Sequence, residues 1–263
     1  SGLPATACGP HEIKHRWPSE TEKVVCVLTH ITHKAVIMAQ LGLPLVAAAA
    51  TAALAPRRVL CLQGKGGNGA SMLSRLHMLR STLGDGWLFE CLDAPHEISS
   101  SGDCAWWINP PGERSYTASS YEGDDVSIAQ VEAAWSAKEY DALLGFSQGA
   151  MLAAVVSARG LLGQGTVRPK CLVLMGAALP KPYESLLSDL SSPTTSAMAS
   201  LHCLSQADTI NPAELGEWVA NCFGPDAKKL WHGSGHVIPG DMGARDGNTV
   251  AAVATFLGQN VKA

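Results

Sequence analysis

The chain has 263 residues, 46% of them hydrophobic and 16% charged, a balance that excludes a disordered or charge-driven protein. Its 19 Lys and Arg against 23 Asp and Glu give a formal net charge of -4 with no basic block, so the electrostatic footprint of nucleic-acid binding is missing. This length accommodates one large domain or two small ones, with a full core.

Residues 1–56 read as an N-terminal extension of open role. Its one apolar stretch, Ala35–Ala55, is about long enough to span a bilayer. Alanine supplies much of it, however, and Gln40, Gly42 and Pro44 interrupt it, which makes it a poor membrane helix. Small residues at its end suit a signal cleavage site but lie far from the first residue. The protein is therefore expected in the cytoplasm, with organelle targeting through the extension left open. His30 and His33 could share a helical face, yet no third ligand accompanies them, so no metal site is expected.

From Arg57 onward, short apolar runs alternate with helical stretches. The expected strands are Val59–Leu62, Trp87–Leu92, Ala142–Phe146, Cys171–Met175, Leu201–Leu204 and Lys229–His232, each a continuous run of the kind buried on both faces of a parallel sheet. Helices are expected at Ala70–Leu83, Ile128–Lys138, Gln148–Arg159, Ala213–Phe223 and Thr249–Leu257. Right-handed crossovers place them on both faces of one sheet. The Ser-, Pro- and Gly-rich segments Ser99–Asp125 and Leu179–Ser200 follow strands, so they read as long loops at the carboxyl edge, where ligands bind in open α/β sheets. The eight cysteines include no C-x-x-C pair, and Cys61, Cys91, Cys171 and Cys203 fall inside apolar runs, so they read as buried free thiols.

Two motifs compete for the chemistry. Gly64–Gly69 (GKGGNG) lies between the first strand and its helix and fits G-x-G-x-x-G, whose glycines let a backbone approach a pyrophosphate; Asp93, at the end of the next strand, could hold a ribose. That makes a nucleotide-binding oxidoreductase one alternative. The same glycine-rich turn can equally aim backbone N–H groups at an oxyanion. The second motif, Gly145-Phe146-Ser147-Gln148-Gly149, is a G-x-S-x-G between a strand and a helix, the context of a nucleophile elbow.

A serine hydroxyl needs a base, and the base needs an orienting group; in this fold they follow in the order Ser, acid, His. Asp208 follows the run Leu201–Leu204, and His236 follows Lys229–His232, so both fall on loops at the same edge as Ser147. His202 and His232 lie inside strands, Asp226 lies at the opposite edge, and Asp241 follows His236 too closely to orient it.

Taken together, RVLCLQG and the following NG (57–69), LDAPHEI (92–98), the Trp106-Trp107 pair, YEG (121–123), LLGFSQGAMLAA (143–154), LVLMGAA (172–178), LHCLSQAD (201–208) and GSGHVIP (233–239) resemble the FSH-type serine hydrolases, the ovarian-cancer-associated esterase-like family of the α/β-hydrolase superfamily. The resemblance covers about Arg57 to the C-terminus. It implies an α/β-hydrolase fold over residues 57–263, a mostly parallel sheet with helices on both faces, and hydrolysis of a small carboxylic ester or thioester without a cofactor. The implied catalytic residues are Ser147, Asp208 and His236. The oxyanion donors would be the N–H of Gln148 and that of Lys65 or Gly66. Gln63 stands where the family usually has a histidine, which leaves open which of those two N–H groups points inward. His96, Trp106 and Trp107 are expected to line an acyl pocket and to favour medium acyl chains. A non-catalytic binding module on the same fold is the alternative from another class.

Overall fold

The computed structural model describes residues 55–191, 198–241 and 246–262. Cys8, Cys26, His30, His33 and all but the last residue of Ala35–Ala55 lie outside them. Six parallel strands form one sheet in the order β2-β1-β5-β6-β7-β8: β1 Arg57–Leu62, β2 Trp87–Leu92, β5 Ala142–Phe146, β6 Cys171–Met175, β7 Ala199–Ser205 and β8 Lys228–His232. The order places β5 and β6 at the centre, where every residue is buried. A short antiparallel pair, β3 (His96–Glu97) and β4 (Cys104–Ala105), stands apart from the sheet.

Continuous apolar runs make sense at the centre because helices cover both faces. On one face Leu60, Leu62, Leu143, Leu172 and Leu174 pack with α3 (Asp124–Ala137), α4 (Gln148–Leu161) and α6 (Ala213–Cys222). On the other, Val59, Cys61, Leu144, Val173 and Met175 pack with α1 (Gly69–Arg75), α2 (His77–Leu83) and α7 (Gly247–Asn260). The period of two that sorts strand side chains between faces is thus hidden in sequence because both faces are apolar. The fold is that of an α/β-hydrolase.

Several expectations change. The outer strands β2 and β8 are only half-buried, because an edge strand has a neighbour on one side only; Trp231 on β8 is 41% exposed. Cys91 on β2 is accordingly half-buried, whereas Cys61, Cys171 and Cys203 are buried thiols. The single helix expected over 70–83 is two, since Leu76 leaves helical geometry at ψ 7, and α2 then turns onto α7. The segment Leu179–Ser200 is partly helical, with a 3₁₀ turn at Lys181–Tyr183, the short helix α5 (Glu184–Ser188) and a second 3₁₀ turn at Asp189–Ser191.

His202 is a buried polar residue of this sheet whose charge state bears on stability. It sits on β7 at 1% exposure, with Nε2 3.1 Å from Ser200 Oγ and Nδ1 without a hydrogen-bond partner among the described residues. Burial, aided by Lys229, lowers its pKa to about 3. The unfolded chain takes up this proton near ~6.5, so it binds more protons than the folded chain between those values. The resulting stability is complete above about pH 6.5 and is lost as the pH falls toward the folded value. Going from pH 7 to 4.5 should cost about 2–3 kcal/mol at this site. Urea midpoints at the two pH values measure it, and His202→Gln should remove most of that difference.

Candidate active site

The site is built where β5, β7 and β8 end. Ser147 follows β5 directly and adopts φ 54, ψ -120, the one positive φ outside glycine among the described residues. Close packing explains the glycines beside it. A Cβ on Gly145 would stand 2.6 Å from Ala150 Cα, and one on Gly149 would run into the carbonyls of Leu62 and Gln63. The turn therefore presses α4 against both β5 and the end of β1, and Ser147 projects above the sheet edge.

The other two segments are fastened to each other. Ser205, the last residue of β7, accepts the N–H of Ala207 at 3.2 Å and that of Gly235 at 3.1 Å on its Oγ, so one hydroxyl pins the loop after β7 to the loop after β8. Asp208 Oδ1 accepts the N–H groups of Ile210 and Asn211, both at 2.8 Å, which leaves Oδ2 for His236. Asn211 in turn donates through Nδ2 to the carbonyl of Gly176 at 2.7 Å. A Cβ on Gly176 would lie 3.3 Å from the His236 ring, so this glycine gives the imidazole its room.

The result is a continuous chain. Asp208 Oδ2 lies 2.7 Å from His236 Nδ1, and His236 Nε2 lies 2.8 Å from Ser147 Oγ. The Asp208 side chain is 3% exposed and that of His236 14%. Burial works to raise the Asp208 carboxyl, but the hydrogen bond from His236 and the N–H groups of Asn211 and Ile210 outweigh it and hold the group below the usual carboxylate range. A carboxylate only accepts, so Nδ1 carries the proton and Nε2 is left to accept from the serine hydroxyl.

Of the two N–H groups left open after β1, one is already used. Gly66 donates its N–H to the Cys104 carbonyl at 2.9 Å, and Cys104 returns its own N–H to Gly67 at 3.0 Å. Gly66 is thereby tied to β4, while Lys65 lines the same cleft as Ser147 and Gln148. The dinucleotide reading fails in this loop as well. Asp93 accepts the Gly69 N–H at 2.6 Å, and Asn68 caps Ser71 at 2.9 Å, so the start of α1 already holds a carboxylate where a pyrophosphate would have to sit.

The three expected pocket residues are structural. Trp106 and Trp107 are 0% and 1% exposed and do not line the cleft. The Gln148 side chain clamps their backbone, accepting the Trp106 N–H at 2.9 Å and donating to the Trp107 carbonyl at 2.9 Å. The Trp106 indole donates to the Gln63 carbonyl at 2.8 Å, and Trp107 stacks on Tyr121 at 4.4 Å. His96 bonds through Nε2 to the Gly123 carbonyl at 2.8 Å, joining β3 to the start of α3. The cleft, about 470 Å³, is walled instead by Lys65, Arg114, Tyr116, Phe146, Met151 and Ile210 around Ser147 and His236.

A family model described as serine hydrolase (FSH1) matches residues 52–246. The chain belongs to this FSH1 serine hydrolase family. It is 30% identical over 211 residues to Esterase OVCA2 of Homo sapiens, a match covering 72% of this chain and 92% of that protein. It is 29% identical over 201 residues to Esterase CG5412 of Drosophila melanogaster, covering 69% and 68%. Among solved structures, esterase PE8 superposes with a TM-score of 0.58 at 19% identity, over 79% of this chain and 94% of that one. Acyl-protein thioesterase 2 of Zea mays follows at 0.55 and 21%, over 78% and 94%. This FSH1-family chain is thus an esterase-type hydrolase. None of its helices, among the described residues, is long and apolar enough to cross a membrane.

The side chains of Gln148, Ser205 and Asn211 and the bare Cα of Gly176 went unread in the sequence. Only the Asp-x-x-Asn spacing after β7 signals one of them, as an Asx-type turn. Because the buried Trp106 indole fills the core and bonds the Gln63 carbonyl, Trp106→Ala should cost about 3–5 kcal/mol of stability. It should also lower hydrolysis of short and long acyl esters by the same factor, measured as kcat/KM across a chain-length series.

Proposed function

We propose that this enzyme hydrolyses carboxylic esters, and thioesters by the same route, through a Ser147–His236–Asp208 triad and an acyl-enzyme. The observation that carries the reading is the unbroken run of hydrogen bonds, 2.7 Å from carboxylate to imidazole and 2.8 Å from imidazole to hydroxyl. His236 takes the Ser147 proton as Oγ attacks the acyl carbon and returns it to the departing alcohol or thiol. Asp208, kept ionised by its N–H donors, holds the imidazole tautomer and stabilises its cation. Water then attacks the acyl-enzyme with His236 as base, releasing the acid.

The negative charge that develops on the carbonyl oxygen is met by the N–H of Gln148, the first residue of α4, and by that of Lys65. Each such donor is typically worth about 2.7–4 kcal/mol in the transition state. The Gln148 donor acts without rearranging, since that residue is braced by the Trp106-Trp107 backbone. No step in this sequence calls for a metal or a cofactor.

Ser147→Ala should abolish ester turnover, with a loss approaching ~10⁶ where the three groups act as a unit. A fluorophosphonate should label the wild type and spare the variant, and retained turnover in the pure variant would overturn the assignment. We also propose that residues 57–263 form the hydrolase domain, because the compact unit Ala53–Ala263 contains every group named above. A chain lacking residues 1–55 should remain soluble and keep its kcat/KM for a short ester. Aggregation of that chain would move the domain boundary upstream.

A further inference from the structure

Beside the apolar side chains of Phe146, Met151 and Ile210, the cleft carries two cations that no carboxylate pairs among the described residues. Lys65 and Arg114 both line it and both are exposed, and neither side chain takes part in an ion pair or hydrogen bond among the described residues. Several other cations of the domain are paired. Arg58, Arg75, Lys138, Lys170 and Lys229 each meet a carboxylate within 3.3 Å. Glu113, the one carboxylate lining the cleft, pairs with neither cation. The mouth therefore carries two positive charges and one negative in a chain whose formal charge is -4.

Arg114 is also presented from a fixed base. Its N–H donates to Thr117 Oγ1 at 3.1 Å, and its carbonyl accepts the N–H groups of Thr117 and Ala118, both at 2.9 Å. Ala118 is fully buried, and the neighbouring Ser115 carbonyl accepts the hydroxyl of Tyr121, which stacks on Trp107. Tyr116, next in the chain, adds a phenol to the lining with no partner among the described residues. Two cations and a hydroxyl, from the turn after β1 and from the loop that holds Arg114, stand beside Ser147 and form a recognition set for an anion.

We infer that the substrate carries an anionic group, a carboxylate or a phosphate, a few bonds from the scissile carbonyl, and that Lys65, Arg114 and Tyr116 receive it. This rests on the hydrolytic role of Ser147 given above. The anion can belong to the acyl part, as in the half-ester of a dicarboxylic acid, or to the leaving group, as in an ester of a hydroxyalkyl phosphate. Binding that is the same in ground and transition states lowers KM and leaves kcat unchanged.

The test uses two matched pairs at low ionic strength. One pair is a glutarate half-ester and the pentanoate ester of the same alcohol; the other is the acetate esters of a hydroxyalkyl phosphate and of the plain alkanol. In at least one pair the anionic member should have the higher kcat/KM by about tenfold, through KM, with the advantage shrinking in 0.5 M salt. The pair that responds identifies the side of the ester that bears the anion. Arg114→Gln should erode that ratio and Arg114→Glu should invert it. Equal or better use of the neutral member in both pairs overturns the inference, as does a ratio that survives Arg114→Glu. If Ser147→Ala still turns over the neutral esters, the nucleophile assignment has failed; if wild-type turnover depends on Ser147 but ignores charge, only the anion inference has. Should neither pair be turned over, protection of Ser147 from a fluorophosphonate by glutarate, but not by its diamide, supports the inference, and equal protection overturns it.

Discussion

Everything at this site depends on how closely α4 approaches the sheet. Gly145 and Gly149 have no space for a Cβ, since one would collide with Ala150 Cα and the other with the carbonyls that end β1. That contact leaves Ser147 no ordinary backbone geometry, and a non-glycine residue at positive φ costs on the order of 1–3 kcal/mol. The cost is sustained because the flanking elements are over-determined: β5 is buried throughout, as is α4 from Gln148 to Ala158. The strain in return fixes Oγ above the strand ends, where His236 can reach it. It also fixes Gln148, whose N–H starts the helix and whose side chain is turned away to hold the Trp106-Trp107 backbone. One close contact thus sets Ser147 and the scaffold behind it.

Asp208 and His236 are aligned by ordinary polar groups. Ser205 Oγ gathers N–H groups from two loops, and Asp208 spends one oxygen on a turn so that the other can serve His236. Two backbone donors on Oδ1 matter electrostatically, because a carboxylate at 3% exposure would otherwise be driven toward its neutral form. A protonated Asp208 would lose its hold on the imidazole tautomer. Phe146 packs against His236 at 5.0 Å and carries Arg75 on its ring at 4.6 Å, so the imidazole is also restrained by packing.

The order Ser, Asp, His at three strand ends was legible because local sequence encodes it: apolar runs locate the strands, and the next polar residues must fall on their carboxyl edge. The Gly145 and Gly149 spacing was legible for the same reason. The loop Ser99–Asp125 was not. Its composition reads as solvated, yet Trp106 and Trp107 are buried by bonds to Gln63 and Gln148, some forty residues away, and no local pattern records partners at that distance. Gly66 and Lys65 look equivalent in the sequence; the Cys104 carbonyl separates them, again from far along the chain. The start of α3 was placed four residues late, although Asp124 and Asp125 in its first turn suit the positive end of a helix. The half-burial of β2 and β8 depends on strand order, which no single strand contains.

Exposure sets what an unpaired charge costs. Arg75 and Lys229, both less than half exposed, are matched to carboxylates, since an unpaired charge becomes costly as water is withdrawn. Lys65 and Arg114 stand in solvent, where leaving them unpaired costs the fold little. They are free to act on a ligand for that reason. A chain of net charge -4 repels an anion at long range, and screening confines any attraction to roughly 8 Å in physiological salt. A local pair of cations at the mouth is therefore what can draw an anionic ester in against the overall field. Because the Arg114 backbone is held by its own turn, little ordering is required when the ligand arrives, and the contact can raise affinity without disturbing the strained serine beneath it.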